Sequence, residues 1–599
     1  MGNGSVTEGT AEGMCQEKLM PDLNAKIAYF SMEIALEPAI PTYSGGLGVL
    51  AGDSLRSAAD IGVPMVGVTL VHRRGYFRQR LDARGNQFEE DALWSPEDSL
   101  EDSGAHALVE IERRPVHVRA WKYTIRGITG HEVPVYLLDS DLAENTPWDR
   151  ALTDHLYGGD AHYRFCQEAL LGMGGVRLLR ELGYAQIGSY HMNEGHAALL
   201  SLALLEERLG KSDLGSATAE DIEAIRSQCI FTTHTPVPAG HDQFSGDLMR
   251  QVLGAERRKV LEVTHCCPEG TLNMTYLALK FSRYINGVAM HHGEISQEMF
   301  PLYPIRAITN GVDAVTWTAP AFRELYDRHI PEWRRDNLYL RYVRGISLDE
   351  IRQTHASAKR ALLREIQTQT HVEMSETAFT IGFARRAATY KRPELLFGNA
   401  DRLRRMAKEH GPLQIVFGGK AHPQDAPSKE LIRRVIETTG FLKDAIRFVY
   451  VENYDMRWAQ VITSGVDLWL NTPRRPEEAS GTSGMKAALN GVPSLSVLDG
   501  WWIEGHAEGA TGWAIGTDGD LPADSSRESV SLYDKLEETI LPLFYGRPFR
   551  FAEIMRSTIA INGSFFNSQR MISQYVANAY FPEEEPSARR AAPAAQRGD

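Results

Sequence analysis

Five cysteines in 599 residues, Cys15, Cys166, Cys229, Cys266 and Cys267, are few, odd in number and irregularly spaced, which indicates neither a disulfide framework nor a zinc module. That usage suits a reducing cytoplasm. No apolar run approaches the ~20 residues that a membrane-spanning helix requires, and the first residues lack the basic and apolar regions of a secretion signal. Met1-Gly2-Asn3-Gly4-Ser5-Val6 also misses the myristoylation pattern, because Val6 stands where serine or threonine is needed. Positive charge is short as well. With 64 Lys and Arg against 78 Asp and Glu, the formal net charge is −14, which argues against a nucleic-acid partner. A sugar or other neutral polymer fits better.

The remaining composition, 43% hydrophobic and 24% charged, is that of a soluble globular protein. The length exceeds what one hydrophobic core accommodates, so two large domains are expected. Ile27–Met32 reads as a strand, Thr42-Tyr43-Ser44-Gly45-Gly46-Leu47-Gly48 as a glycine loop entering a helix through Asp60, and Val63–Val68 as the next strand. That is a βαβ unit, whose expected home is a parallel sheet. The loop has the look of a phosphate cradle but is not the dinucleotide fingerprint, and a plain tight turn is the alternative. Further apolar runs end in polar residues at Asp139, Asn193, His234 and Asn310. In an open α/β sheet, ligands bind beyond the C-terminal ends of strands, so these residues collect where a site belongs. Residues 71–130 are less regular and read as an antiparallel excursion.

A second set of strands begins near residue 377, at Ala378–Phe383, Leu413–Phe417, Ile446–Val451, Val466–Leu470 and Ser494–Leu498, with helical patterns between. The expected fold is therefore α/β, with two Rossmann-like domains facing across a cleft. The expected boundaries are a flexible segment over 1–24, an N-terminal domain over 25–312 and a C-terminal domain over 313–545. A helical segment over 546–582 is expected to pack back on the N-terminal domain, and a disordered tail over 583–599 to follow.

The second half concentrates the chemistry. Arg385, Arg386, Lys391 and Arg392 place four cations in eight residues at a strand-to-loop junction, apt for one or two phosphates. Glu477-Glu478-Ala479-Ser480-Gly481-Thr482-Ser483-Gly484-Met485-Lys486 follows a buried strand and starts a short helix. Its lysine lacks the Walker spacing. It can neighbour a phosphate, carry a phosphorylated cofactor as a Schiff base, or be a solvated lysine after a glycine turn.

Taken in order, Lys391-Arg392-Pro393, Gly418-Gly419-Lys420-Ala421, Asn453-Tyr454 and Glu478–Lys486 resemble the C-terminal domain of the α-glucan phosphorylases, the glycogen, starch and maltodextrin phosphorylase family. Gly45-Gly46-Leu47-Gly48, Asn193-Glu194-Gly195-His196, Thr233-His234-Thr235 and Asn310-Gly311 extend the resemblance through the N-terminal half, so that it covers most of 25–545. It implies the GT-B type glycosyltransferase architecture and pyridoxal 5′-phosphate carried on Lys486. Arg386, Lys391 and the Gly46 N–H are implied to meet the substrate phosphate, and His234 to contact the glucosyl unit at the cleavage site. Tyr454, Thr482, Ser483, Arg385 and Trp317 are implied around the cofactor, and Leu47, Asn193, Asn310, Glu478, Ser480 and Gly481 around the sugar. His196 falls on a matching loop of no assigned role.

The implied reaction moves the terminal α-1,4-linked glucosyl unit of glycogen, starch or maltodextrin to orthophosphate, giving glucose 1-phosphate with retention. Two phosphates in contact repel unless cations surround them and a proton is shared, which is the physical need for Arg385, Arg386 and Lys391. Related glycosyltransferases that use sugar nucleotides carry two glutamates separated by seven residues at this turn. Here seven residues separate Glu478 from Lys486, so a lysine replaces the second carboxylate. A sugar-nucleotide glucosyltransferase and a non-catalytic glucan-binding protein are the alternatives. Arg385 stands where many members have lysine, and Ser483-Gly484 replaces the commoner Gly-Asn. The length resembles the compact bacterial and archaeal branch, without the effector sites of longer enzymes, and the family implies a homodimer. No metal is expected: His291-His292-Gly293-Glu294 and His265-Cys266-Cys267 read as structural, and Trp501-Trp502 as packing with one ring near the cleft.

Overall fold

The structure is a computed structural model that describes residues 25–581, apart from 211–213, 238–239, 265 and 518–523. The expectations for 1–24, for 583–599 and for His265 lie outside the described residues. Two large sheets organise the chain. The first contains β1 (Ile27–Phe30), β2 (Met65–Leu70), β3 (Glu101–Ile111), β4 (Arg114–Arg126), β5 (Glu132–Asp139), β6 (Ser189–Asn193), β7 (Cys229–Thr232), β8 (Tyr284–Gly287) and β9 (Arg306–Ala307). Their order is β9-β8-β7-β6-β1-β2-β5-β4-β3. Seven strands run parallel, and β4 and β3 extend one edge antiparallel, which is the excursion expected from 71–130.

Alternation along β1 shows why this sheet is covered on both faces. Ala28 and Phe30 join one apolar cluster with Val66, Val68 and Leu138, whereas Ile27 and Tyr29 join another with Met65, Val135 and Leu137. The second sheet contains β10 (Phe379–Ala384), β11 (Leu413–Gly418), β12 (Ile446–Val451), β13 (Leu468–Asn471), β14 (Ser494–Val497) and β15 (Gly512–Ile515). Its order, β12-β11-β10-β13-β14-β15, is all parallel and reverses between β10 and β13. A reversal of this kind opens a crevice at the strands' carboxyl ends.

Helix α1 (Gly46–Asp60) buries Leu50, Ala51, Leu55, Ala58 and Ala59 against the first sheet, and Gly62 at φ 74° ends it in a conformation that suits glycine. Helix α2 (Met456–Gly465) is capped by Asp455, whose carboxylate accepts from Trp458 N at 2.9 Å. Helix α3 (Ser483–Ala488) follows the Glu478 turn. The later chain divides its packing. Phe551, Ile554 and Met555 lie in the core of the second sheet, while helix α4 (Ser568–Tyr575) packs on the first, where Ser568 and Ser57 hydroxyls meet at 2.6 Å.

A hairpin, Arg78–Leu81 with Gln87–Glu90, reaches from the first half to the second. The Gln79 backbone N–H donates to Asn453 Oδ1, its side chain accepts Asn453 N and donates to Gly419 O, and Gln87 pairs with the backbone of Ala421. Among the described residues no helix is long and apolar enough to cross a membrane, and Cys166, Cys229, Cys266 and Cys267 are unpaired.

Candidate active site

The strand ends of the second sheet bring Arg385, Lys391 and Glu478 together. Both cations contact one carboxylate oxygen of Glu478: Arg385 Nη1 lies 3.2 Å from Oε2, and Lys391 Nζ closes the other side. Burial opposes the charge on Glu478, but Lys391 and Arg385 outweigh it and hold the carboxyl below its usual range. Asp499 supports the same turn by accepting Glu478 N at 2.9 Å; burial and the nearby Glu478 push Asp499 up to about 7. Arg385 also reaches Ser483 Oγ at 3.3 Å, which Trp469 Nε1 approaches at 3.1 Å. Gly481, at φ 82°, lets the chain fold over the Glu478 side chain.

Arg386 differs from its neighbour. It is exposed to the cleft, makes no hydrogen bond or ion pair among the described residues, and is surrounded by Tyr390, Tyr76, Glu33 and Tyr157. Opposite lies the glycine loop. Ser44 N and Gly45 N donate to the Glu33 carboxylate, which also accepts the Tyr157 hydroxyl at 3.0 Å. A Cβ built on Gly45 or Gly46 meets nothing within 4 Å, so the space beside this backbone is open. Gly46, as the first residue of α1, has an N–H beyond the reach of the helix's own carbonyls. Leu47 follows, half-buried. The loop is tied to the second half where Tyr43 Oη accepts Met456 N at 2.9 Å.

A third group gathers at the ends of β6 and β7. His234 Nε2 lies 2.6 Å from Asn193 Oδ1, and Asn193 Nδ2 donates to Ser31 Oγ at 3.1 Å. Burial pushes His234 down to about 4, so the imidazole is neutral. Glu194 accepts His234 N at 2.8 Å and Thr235 Oγ1 at 3.0 Å from a backbone with φ 77°, which glycine adopts far more readily. His196 pairs with Asp242 at 3.0 Å. Arg570 of α4 donates to the carbonyl of Asn310 at 2.9 Å, and Asn310 Oδ1 is buried without a hydrogen bond. Ser480 Oγ and Arg385 Nε are orphaned in the same way. Buried polar atoms are normally satisfied, so these three leave hydrogen-bonding capacity free beside the strand ends.

Lys486 occupies the last compartment. Its Nζ lies 3.7 Å from the centroid of the Trp317 ring, and Trp317 Nε1 donates to Asp53 at 2.8 Å. Burial pushes Lys486 down to about 8, with Asp53 opposing. Asn490 fixes both backbones, donating to Lys486 O at 3.0 Å and Trp317 O at 2.9 Å. Tyr454 is half-buried beside Arg385, and Thr482 O accepts Lys486 N at 3.3 Å. A buried lysine with a depressed pKa, an aromatic face beneath it and a hydroxyl–guanidinium pair at Ser483 and Arg385 fits an aldehyde-bearing phosphorylated cofactor.

Sequence reading did not single out Glu33, Asp53, Asp499 or Arg570. Glu33 follows directly on the first strand's polar end, which is a usable signal; the others owe their place to partners remote in sequence. Trp501 and Trp502 are both buried, Trp501 packing on Phe566 at 4.9 Å and against the Gly484 turn. His291 pairs with Glu294, and among the described residues no His, Cys, Asp or Glu cluster has metal-ligand geometry.

Residues 241–512 match the carbohydrate phosphorylase family. The maltodextrin phosphorylase of Thermococcus litoralis is 37% identical over 602 residues, covering 94% of this chain and 71% of that protein. The glycogen phosphorylase of Mycobacterium tuberculosis is 37% identical over 620 residues, with 93% and 71% covered. That of Aquifex aeolicus is 34% identical over 607 residues, with 92% and 86% covered. With such likeness along nearly its whole length, this chain belongs to the carbohydrate phosphorylase family.

Proposed function

We propose that this chain is an α-1,4-glucan phosphorylase that uses pyridoxal 5′-phosphate and orthophosphate to release the non-reducing terminal glucosyl unit of glycogen or maltodextrin as α-D-glucose 1-phosphate. The observation that supports the reading is the gathering of Arg385 and Lys391 on Glu478, with Arg386 beside Glu33 of the open glycine loop and Lys486 buried.

Lys486 would hold the cofactor, with Trp317, Tyr454, Thr482, Ser483 and Arg385 around it; when bound, the cofactor supplies a phosphate group that exchanges a proton with the substrate phosphate. Arg386 and Lys391 bind orthophosphate with the Gly46 N–H and offset the repulsion between neighbouring anions. Glu478, Ser480, Gly481, Asn193 and Asn310 hold the sugar hydroxyls. His234, neutral at working pH, contacts the glucosyl unit without adding a like charge to the cation that develops there. Docking of the hairpin over Gly419 and Ala421 keeps the halves together and water out.

A division near residue 313, a homodimeric assembly and a cytoplasmic setting, the last supported by the unpaired cysteines, complete the proposal. The test is borohydride reduction followed by peptide mass spectrometry. A pyridoxyl adduct on Lys486 is expected; a protein that makes glucose 1-phosphate while carrying no adduct there overturns the assignment.

A further inference from the structure

Asp53 has no part in the reaction as described so far. It sits on α1, seven residues after Gly46, with no exposed surface. Its Oδ2 accepts the Trp317 indole N–H at 2.8 Å, while Oδ1 has no hydrogen bond and faces Arg56 Nη1 at 3.5 Å. Trp317 then presents its ring face to Lys486 Nζ at 3.7 Å. Three side chains thus run in line from the helix that begins at the glycine loop to the helix that carries the lysine.

A buried carboxylate is costly unless another charge answers it. The charges that face Asp53 are Arg56 on its own helix and Lys486 on α3, with Asp313 opposing them; Asp60, one turn along from Arg56, also faces Asp313. Arg56 is already engaged with the carbonyls of Ala35 and Leu36. The Lys486 ammonium, by contrast, makes no hydrogen bond or ion pair among the described residues, and Asp53 is the charged group that opposes its loss of the proton. A carboxylate hydrogen-bonded to an indole N–H also fixes the ring and enriches its face, which attracts a cation.

We propose that Asp53 is a positioning residue for Lys486, acting through Trp317 and through its own charge to hold the lysine over the indole face and to keep it protonated. In this way seating of α1, and with it the glycine loop, is linked to the state of the lysine. The functional meaning rests on Lys486 being the cofactor lysine; the effect on the lysine itself does not.

The test separates the two. In the full-length, cofactor-free chain, acetylation of Lys486 by acetic anhydride is followed by peptide mass spectrometry across pH, with thermal melting to verify folding. Wild type is expected to show a midpoint near 8. Asp53→Asn keeps an acceptor for the indole but removes the charge, so its midpoint is expected to fall by about one unit, with about tenfold faster labelling at pH 7. Should Asp53→Asn not fold, Trp317→Phe carries the test: without the indole donor the buried carboxylate favours its protonated form, and the midpoint falls again. A midpoint that stays or rises in the folded variants overturns the inference. Borohydride trapping of wild type with pyridoxal 5′-phosphate supplies the other arm. A trapped adduct with an unmoved midpoint removes this inference alone. No adduct with a lowered midpoint removes the cofactor reading and leaves Asp53 as the lysine's positioning residue.

Discussion

Arg385 and Lys391 share one oxygen of the Glu478 carboxylate, an ion triad buried between the strand ends of the second sheet. The carboxylate holds two cations in place until an anion competes for them, and its own pKa is held low in return. A carboxyl depressed in the folded state contributes stability that is present above its unfolded pKa and lost as pH falls through the folded value. Glu478→Gln should therefore melt lower than wild type at pH 7, by about 3 kcal/mol for two cations left without their partner. The gap should close as the buffer is acidified below the ordinary glutamate range. A gap that widens in acid contradicts the triad.

Gly46 separates packing from function. Because an added Cβ meets no protein atom within 4 Å, Gly46→Ala should leave the melting temperature unchanged or raise it, by up to about 1 kcal/mol of stability, as chain entropy is reduced. The same methyl would stand where phosphate approaches the backbone, so KM for phosphate should rise. Steady-state kinetics with varied phosphate checks this, and an unchanged KM removes the loop from the phosphate site.

Arg386 makes no ion pair among the described residues, so Arg386→Ala should alter stability by no more than about 0.5 kcal/mol. Loss of a preorganised cation should nonetheless cost about 10²–10³ in kcat/KM for phosphate. Equal losses in Arg386→Ala and Arg386→Lys would point to the guanidinium fork rather than charge alone.

Glu194 stores backbone strain, at φ 77°, while it holds the loop of His234 and Thr235. Glu194→Gly should be more stable than Glu194→Ala by roughly 1 kcal/mol, since glycine accepts that conformation. Both should lose activity alike, by about 10²-fold if His234 is misplaced by an ångström. Thermal melts and maltodextrin kinetics on the pair decide it; a more active glycine variant contradicts the role given to the carboxylate.

The strand ends were legible because each is an apolar run that stops at a polar residue, as at Asn193, His234 and Arg385. The cation set and the Glu478–Lys486 turn were legible for the same reason, being local in sequence. Asp53 was not, because it reads as a residue on an amphipathic helix and gains its meaning from Trp317, 264 positions away. Glu33 is similar: Tyr157, which donates to it, is 124 positions distant, and the amides it accepts belong to the glycine loop. The last helix could be expected to return, but sequence periodicity does not say that Arg570 would hold the Asn310 carbonyl.

The most direct measurement is the product formed from maltodextrin and orthophosphate by the purified chain. The account predicts glucose 1-phosphate of α configuration, formed in proportion to added phosphate, and its loss in Lys486→Ala. Release of free glucose independent of phosphate, or glucosyl transfer that requires a sugar nucleotide, would contradict it.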